Sequence, residues 1–192
     1  MEDVYKMEDL FPTHVLDSIN VDDLWETRLF EEARSLLQNL EMTAWVSKEL
    51  QIVLMDKTSK ENAKKLLLIA WMQKFYNLKG SKLNDKRLSQ KHMADASNVL
   101  LDHLFTLFVQ KRPTQTGFTF FLDDKNKDKL LAYIVAMCLT LSNYKLDTHS
   151  FSSDMCITKR KLQSVAGELG CKVLKTDIVL SLPLRFAKRS IY

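Results

Sequence analysis

Residues 156–173 read CITKRKLQSVAGELGCKV, and their spacing decides the fold. Leu162, Val165, Ala166 and Leu169 recur at three- and four-residue intervals, which sets one face of a helix against a core. Gly170 follows the last periodic residue, where a helix terminus favours glycine. The opposite face carries Arg160, Gln163 and Ser164, with Gly167 on one flank and Lys161 on the other. On a lone helix such a face is simply solvated. Its neighbours in the chain decide whether it meets a ligand.

Upstream, DKLLAYIVAMCLTLSNY predicts a long apolar helix that Asp123 or Asp124 can cap, and DTHSFSSDMC predicts a short one. Downstream, CKVLK and DIVLSLPL are β-prone runs joined through Lys175, Thr176 and Asp177. The same order stands earlier in the chain. KENAKKLLLIAWMQKFYNLK predicts a long helix capped by Thr58 or Ser59, with Leu67, Trp71, Phe75 and Leu78 along one side and Gly80 at its end. A polar connector follows, GSKLNDKRLSQKH, and then a helix over ADASNVLLDHLF. TLFVQ and GFTFFL predict a hairpin with Lys111, Arg112 and Pro113 at its tip.

Residues 57–122 and 123–184 thus repeat one architecture, a long helix, a short helix, a second helix and a hairpin. That is the order of a winged helix, a helix-turn-helix variant with a β-wing. The expected fold class is mainly α with small β-hairpins, in tandem winged helices. Residues 1–56 form an acidic helical N-terminal segment ahead of them, with helices over THVLDSI, DDLWETRLFEEARSLLQN and AWVSKELQIVLM. Residues 185–192 form a basic tail. Pure helical packing with incidental apolar loops is the competing reading, and the second copy of the order speaks against it.

Composition agrees with a helical globular chain. Four glycines and three prolines in 192 residues are few for a β-sandwich or barrel, which needs such residues in its turns. The longest apolar run, residues 130–141, is shorter than the roughly 20 residues of a membrane span. The acidic start MEDVYKMEDL lacks the basic character of a targeting peptide. A soluble intracellular protein, or a piece of one, is expected. Cys138, Cys156 and Cys171 form no CxxC pair, and buried free thiols in a reducing compartment are the expectation.

Nothing in the sequence proposes catalysis. His14, His92, His103 and His149 are scattered without metal-ligand spacing. His103 lies among Leu100, Leu101 and Leu104, as a partly buried core histidine would. No nucleophile elbow or phosphate-binding glycine loop is present. The expectation is a non-enzymatic protein without cofactor or metal.

Charge carries the functional signal. Residues 1–56 hold 4 Lys/Arg against 13 Asp/Glu, and residues 57–192 hold 24 against 11, so the body is basic behind an acidic start. The connector contributes Lys82, Lys86, Arg87 and Lys91, the first wing Lys111 and Arg112, and the tail Arg185 and Lys188. With Arg160, Lys161, Gln163 and Ser164 on the opening helix, these groups suit duplex DNA. Arg and Gln can hydrogen-bond bases or phosphates, and a glycine allows close approach. A winged-helix module that binds protein and not DNA is the alternative, and a helical enzyme of unfamiliar type is a third.

DVYKMEDLFP near the start, KDKLLAYIVAMCLTLSNYKLD, LLDHLFT and the closing VLSLPL together resemble the polymerase-I-associated factor family, the forty-nine-kilodalton subunit of RNA polymerase I. The resemblance runs from about Asp3 to Leu184 and rests on the order and spacing of these motifs. It implies a tandem winged-helix domain similar to the β subunit of TFIIE, binding DNA across the polymerase cleft during ribosomal RNA gene transcription. It further implies a nuclear, nucleolar location and other polymerase I subunits as partners. Family members meet a TFIIF-like partner through an N-terminal module that this sequence does not contain. The chain therefore reads as part of a longer subunit and as a monomer with two small cores.

Overall fold

The computed structural model describes residues 11–26, 42–84, 86–93, 95–115, 117–181 and 184. Two long helices occupy its centre. One, α4 (Lys60–Tyr76), is capped by Ser59, whose Oγ accepts the Asn62 N–H at 3.2 Å. The other, α8 (Asp124–Leu141), is capped by Asp123, which accepts the Asn126 N–H at 2.8 Å. The expected single apolar stripe on α4 is too narrow. Leu66, Leu68, Ile69, Ala70 and Met72 are buried as well as Leu67, Trp71 and Phe75. A helix apolar on all sides belongs in an interior, and α4 and α8 pack against each other there.

Three described helices precede them: α1 (Thr13–Asp17), α2 (Asp22–Glu26) and α3 (Ala44–Asp56). The expected helix over residues 22–39 is described only as far as Glu26, and its remainder lies outside the described residues. The acids of this segment meet lysines of α4. Asp22 pairs with Lys60, and Asp17 lies 3.7 Å from Lys64. Part of the charge asymmetry is therefore neutralised within the molecule.

After α4 come two short helices where the sequence suggested a polar connector, α5 (Gly80–Leu83) and α6 (Lys86–His92). Gly80 opens α5 and does not close α4, which ends at Tyr76 before an Asn77 cap. Leu83 and Met93 supply the buried apolar positions that make this segment fold onto the core. Next is α7 (Asn98–Phe108), capped by Ser97, and then β1 (Gln110–Thr114) and β2 (Gly117–Phe121). Residues 106–108 extend α7 and are not strand, because Phe108 continues the buried face of Leu101 and Leu104. The hairpin therefore starts later than expected. Lys111, Arg112 and Pro113 lie within β1, and the chain reverses between Thr114 and Gly117. Pro113 is tolerated because each strand of a two-stranded ribbon is an edge.

Beyond α8 lie β3 (Lys145–Asp147), α9 (Thr148–Asp154), α10 (Lys159–Glu168), β4 (Lys172–Val173) and β5 (Asp177–Val179). The sequence reading missed β3, a three-residue strand that makes the second sheet three-stranded in the order β3-β5-β4, all antiparallel. Its last residue, Asp147, also caps α9 by accepting the Ser150 N–H at 2.6 Å.

The buried apolar side chains of the described residues, Ala136 apart, form one continuous cluster and not two separate cores. Helix α3 contributes to this joining. It packs on both α4 and α9, and the Asp154 carboxylate of α9 accepts the backbone N–H of Trp45 at 2.8 Å. The result is a mainly helical protein with small antiparallel sheets.

Candidate nucleic-acid interface

Helix α10 is placed by its apolar stripe. Leu162, Val165 and Ala166 are buried against α8, α9 and β4. Thr158 caps it, its Oγ1 accepting the Lys161 N–H at 3.2 Å, and Gly170 follows with φ +76°. This burial turns Arg160 and Ser164 outward, both exposed, with Gln163 half-buried beside them. Arg160 makes no ion pair among the described residues. Gly167 has a helical φ, and a Cβ added there would meet nothing within 4 Å. Among the described residues no neighbour requires a glycine at that position.

Lys161 stands differently from the other basic candidates. Its ammonium pairs with the Asp128 carboxylate of α8, and that hydrogen bond raises its pKa above the ordinary lysine value. Burial is the main cause that pushes the nearby Tyr76 phenol up as well. The charge of Lys161 is thus engaged inside the molecule, which helical spacing alone could not have revealed because Asp128 lies 33 positions upstream.

The first hairpin carries Lys111 and Arg112 exposed, and each cation lies over an aromatic ring of the opposite strand. Lys111 Nζ is 3.6 Å from the centroid of Phe118, and the Arg112 guanidinium carbon is 4.8 Å from that of Phe121. The ribbon is fixed at its base by two bonds. The Asn84 side chain accepts the Phe120 N–H at 2.6 Å, and Gln110 donates to Asp123 at 2.7 Å. Asn84 is a positioning residue that sequence reasoning missed, for its bond spans 36 positions and leaves no local pattern.

Lys82 is half-buried, its Nζ 3.3 Å from His92 Nδ1, while Lys91 is exposed on α6. Lys86 and Arg87 sit on the backbone of the same helix. Arg185 and Lys188 lie outside the described residues. The structure therefore groups the basic candidates on three elements: α10, the first hairpin, and the α5–α6 segment, whose α5 abuts β2.

His103 is half-buried with its ring 5.5 Å from that of Phe11, as a core histidine. Cys138 and Cys171 are buried, and burial pushes the Cys171 thiol up to about 11. Cys156 departs from the expectation: it is exposed, with φ +52°, because it lies in the turn between α9 and α10. Among the described residues no group of three or more His, Cys, Asp or Glu is arranged to hold a metal ion. No described helix is long and apolar enough to cross a membrane.

Comparison with known proteins places this arrangement in a family. The family described as A49-like RNA polymerase I associated factor matches residues 1–184, and the chain belongs to it. It is 26% identical over 209 aligned positions to the DNA-directed RNA polymerase I subunit rpa49 of Schizosaccharomyces pombe, covering 98% of this chain and 48% of that protein. It is 22% identical over 178 positions to the DNA-directed RNA polymerase I subunit RPA49 of Saccharomyces cerevisiae, covering 90% of this chain and 42% of the relative. The chain spans less than half the length of either relative.

Proposed function

We propose that this chain is a non-catalytic, DNA-binding part of an RNA polymerase I subunit. In this reading residues 57–122 and 123–184 are tandem winged helices, residues 1–56 an acidic segment packed on them, and residues 185–192 a basic tail. The twice-repeated order of a long helix, one or two short helices, a further helix and a hairpin supports it. Its site of action is the nucleus and nucleolus, where it assists initiation and elongation on ribosomal RNA genes. Its partners are duplex DNA and other polymerase I subunits, among them a TFIIF-like subunit met through a module outside this sequence.

The observation that carries the DNA reading is the outer face of α10. Arg160 and Ser164 are exposed there beside open space over Gly167, on a helix whose other face is fixed in the core. A helix interior normally loses about 1 kcal/mol by carrying glycine in place of alanine. With no internal contact requiring it, close approach of an external backbone is a physical reason to keep it. Lys111, Arg112, Lys91 and the remaining cations of α5 and α6 hold phosphates. Lys161 reaches a phosphate only by leaving Asp128. Binding is mainly electrostatic and largely indifferent to sequence, because phosphate contacts carry no base information.

The test is an electrophoretic shift of two unrelated duplexes of equal length. Similar affinities at micromolar protein agree with the proposal. A strong preference for one sequence removes the non-specific mechanism, and absence of any shift favours a winged-helix module that binds only protein.

A further inference from the structure

We propose that Phe118, near the end of the first hairpin, stacks on an unpaired nucleobase and gives the chain a preference for DNA with melted or single-stranded segments. This rests on the DNA-binding reading above and adds to it a residue with a different substrate form.

Phe118 is 56% exposed, more than any other large apolar side chain described. The register explains how it comes to stand bare. Pro113 pairs with Phe118, and Lys111 with Phe120, on one face of the ribbon, while Arg112 pairs with Thr119 on the other. Phe120 and Phe121, nearer the base, are partly covered. The whole of β1 is exposed, and among the described residues nothing buries the outer part of the hairpin. The bonds from Asn84 and Gln110 fix its base and hence the direction in which the tip projects.

A ribbon needs no bare phenylalanine to keep its register, since β-branched or polar cross-strand pairs serve as well. An aromatic ring beside cations is, however, what single-stranded nucleic acid requires. The ring takes the π-face of a base while the cation meets the adjoining phosphate. Lys111 covers one side of Phe118 at 3.6 Å, and the residue remains more than half exposed. Duplex DNA hides its base faces in its own stack, so this contact forms only where bases are unpaired. One ring beside one cation also offers too little apolar area for a stable protein interface, which needs about 800 Å² per partner.

The experiment measures fluorescence anisotropy of the chain with labelled DNA of one length in three forms: duplex, single strand, and duplex with a central unpaired bubble. The parent is expected to bind the bubble more tightly than the duplex. Phe118→Thr, which keeps strand propensity, is expected to lose about tenfold on the single strand and the bubble and less than twofold on the duplex. Phe118→Trp is expected to keep the parent's preference. Circular dichroism melts should be unchanged for both, since the ring is exposed. Equal losses on all three forms, no loss on any, or a tryptophan variant as weak as threonine overturns the proposal and leaves the DNA-binding reading standing. A parent that binds none of the three overturns both readings.

Discussion

The ammonium of Lys161 on α10 is paired with the carboxylate of Asp128 on α8, and the pair ties the outward-facing helix to the central one. Both side chains keep more than a third of their surface exposed, at 38% and 40%, so the pair contributes at most about 1 kcal/mol to stability. Its larger effect is on the charge available to a ligand. Asp128→Asn should leave the melting temperature nearly unchanged and strengthen duplex binding roughly two- to fivefold at low salt. A freed lysine that meets one more phosphate should also steepen the log–log salt slope by about 0.9. Unchanged affinity and slope would show that Lys161 does not face DNA.

The two neighbouring cations of α10 should separate in a reversal experiment. Arg160→Glu alters only an exposed charge, so duplex affinity should fall about five- to tenfold at moderate salt while thermal unfolding stays as in the parent. Lys161→Glu sets a carboxylate against Asp128, and like charges at that separation should lower the melting temperature as well as the affinity. Affinity measured beside circular dichroism distinguishes them. Identical melts for the two variants would contradict the assigned geometry.

Gly167→Ala offers a test with opposite signs. The added methyl meets no atom of the described residues within 4 Å and the backbone is already helical, so stability should rise by about 1 kcal/mol. If a DNA backbone approaches this face closely, affinity should drop severalfold in the same variant. Urea unfolding and duplex binding measured together decide the matter. A more stable protein with unaltered binding would move the DNA contact away from Gly167.

Stability should also depend on pH through two identified groups. The backbone N–H of Ser150 holds the Asp147 carboxyl below its ordinary value of about 4. A depressed native pKa adds stability that is complete above the unfolded value and is lost as pH falls through the native one. Asp147→Ala should therefore be about 1 kcal/mol less stable at pH 7, with the gap narrowing below about pH 4. Lys161 has the reverse sign. Asp128 raises its pKa, so its contribution is complete below about pH 10 and is lost as pH rises through the raised native value. Denaturant midpoints from pH 3 to pH 11 for parent, Asp147→Ala and Asp128→Asn would show both limbs. A constant gap between parent and Asp147→Ala across the acid range would contradict the cap.

Local patterns in the sequence were readable, and long-range contacts were not. The caps of α4 and α8 and the buried stripe Leu162, Val165 and Ala166 follow from spacing and capping chemistry, and the structure has them as expected. The connector was misjudged because Lys79, Lys82, Lys86, Arg87 and Lys91 mask the two short helices that Leu83 and Met93 pull onto the core. The strand β3 was missed because three residues carry no period, and only pairing with β5 makes them a strand. In the candidate interface, the outward set of Arg160, Gln163 and Ser164 was legible from the helix period alone. The commitment of Lys161 to Asp128, the anchoring of the hairpin by Asn84, and the bareness of Phe118 each depend on a partner, or its absence, remote in sequence.

The salt dependence of duplex binding tests the central claim most directly, because electrostatic contact with phosphates leaves a signature that a protein-docking module lacks. Each neutralised phosphate contributes a log–log slope of about −0.9 on B-DNA. Arg160, Lys91, Lys111, Arg112 and the other candidate cations should together give a slope of roughly −3 to −6 between low and physiological salt. Binding titrations of one duplex at four or more salt concentrations measure it. A slope in that range, reduced by about 1 in an Arg160→Ala variant, is the predicted result. Affinity that does not change with salt, or no binding at micromolar protein in the lowest salt, would contradict the account.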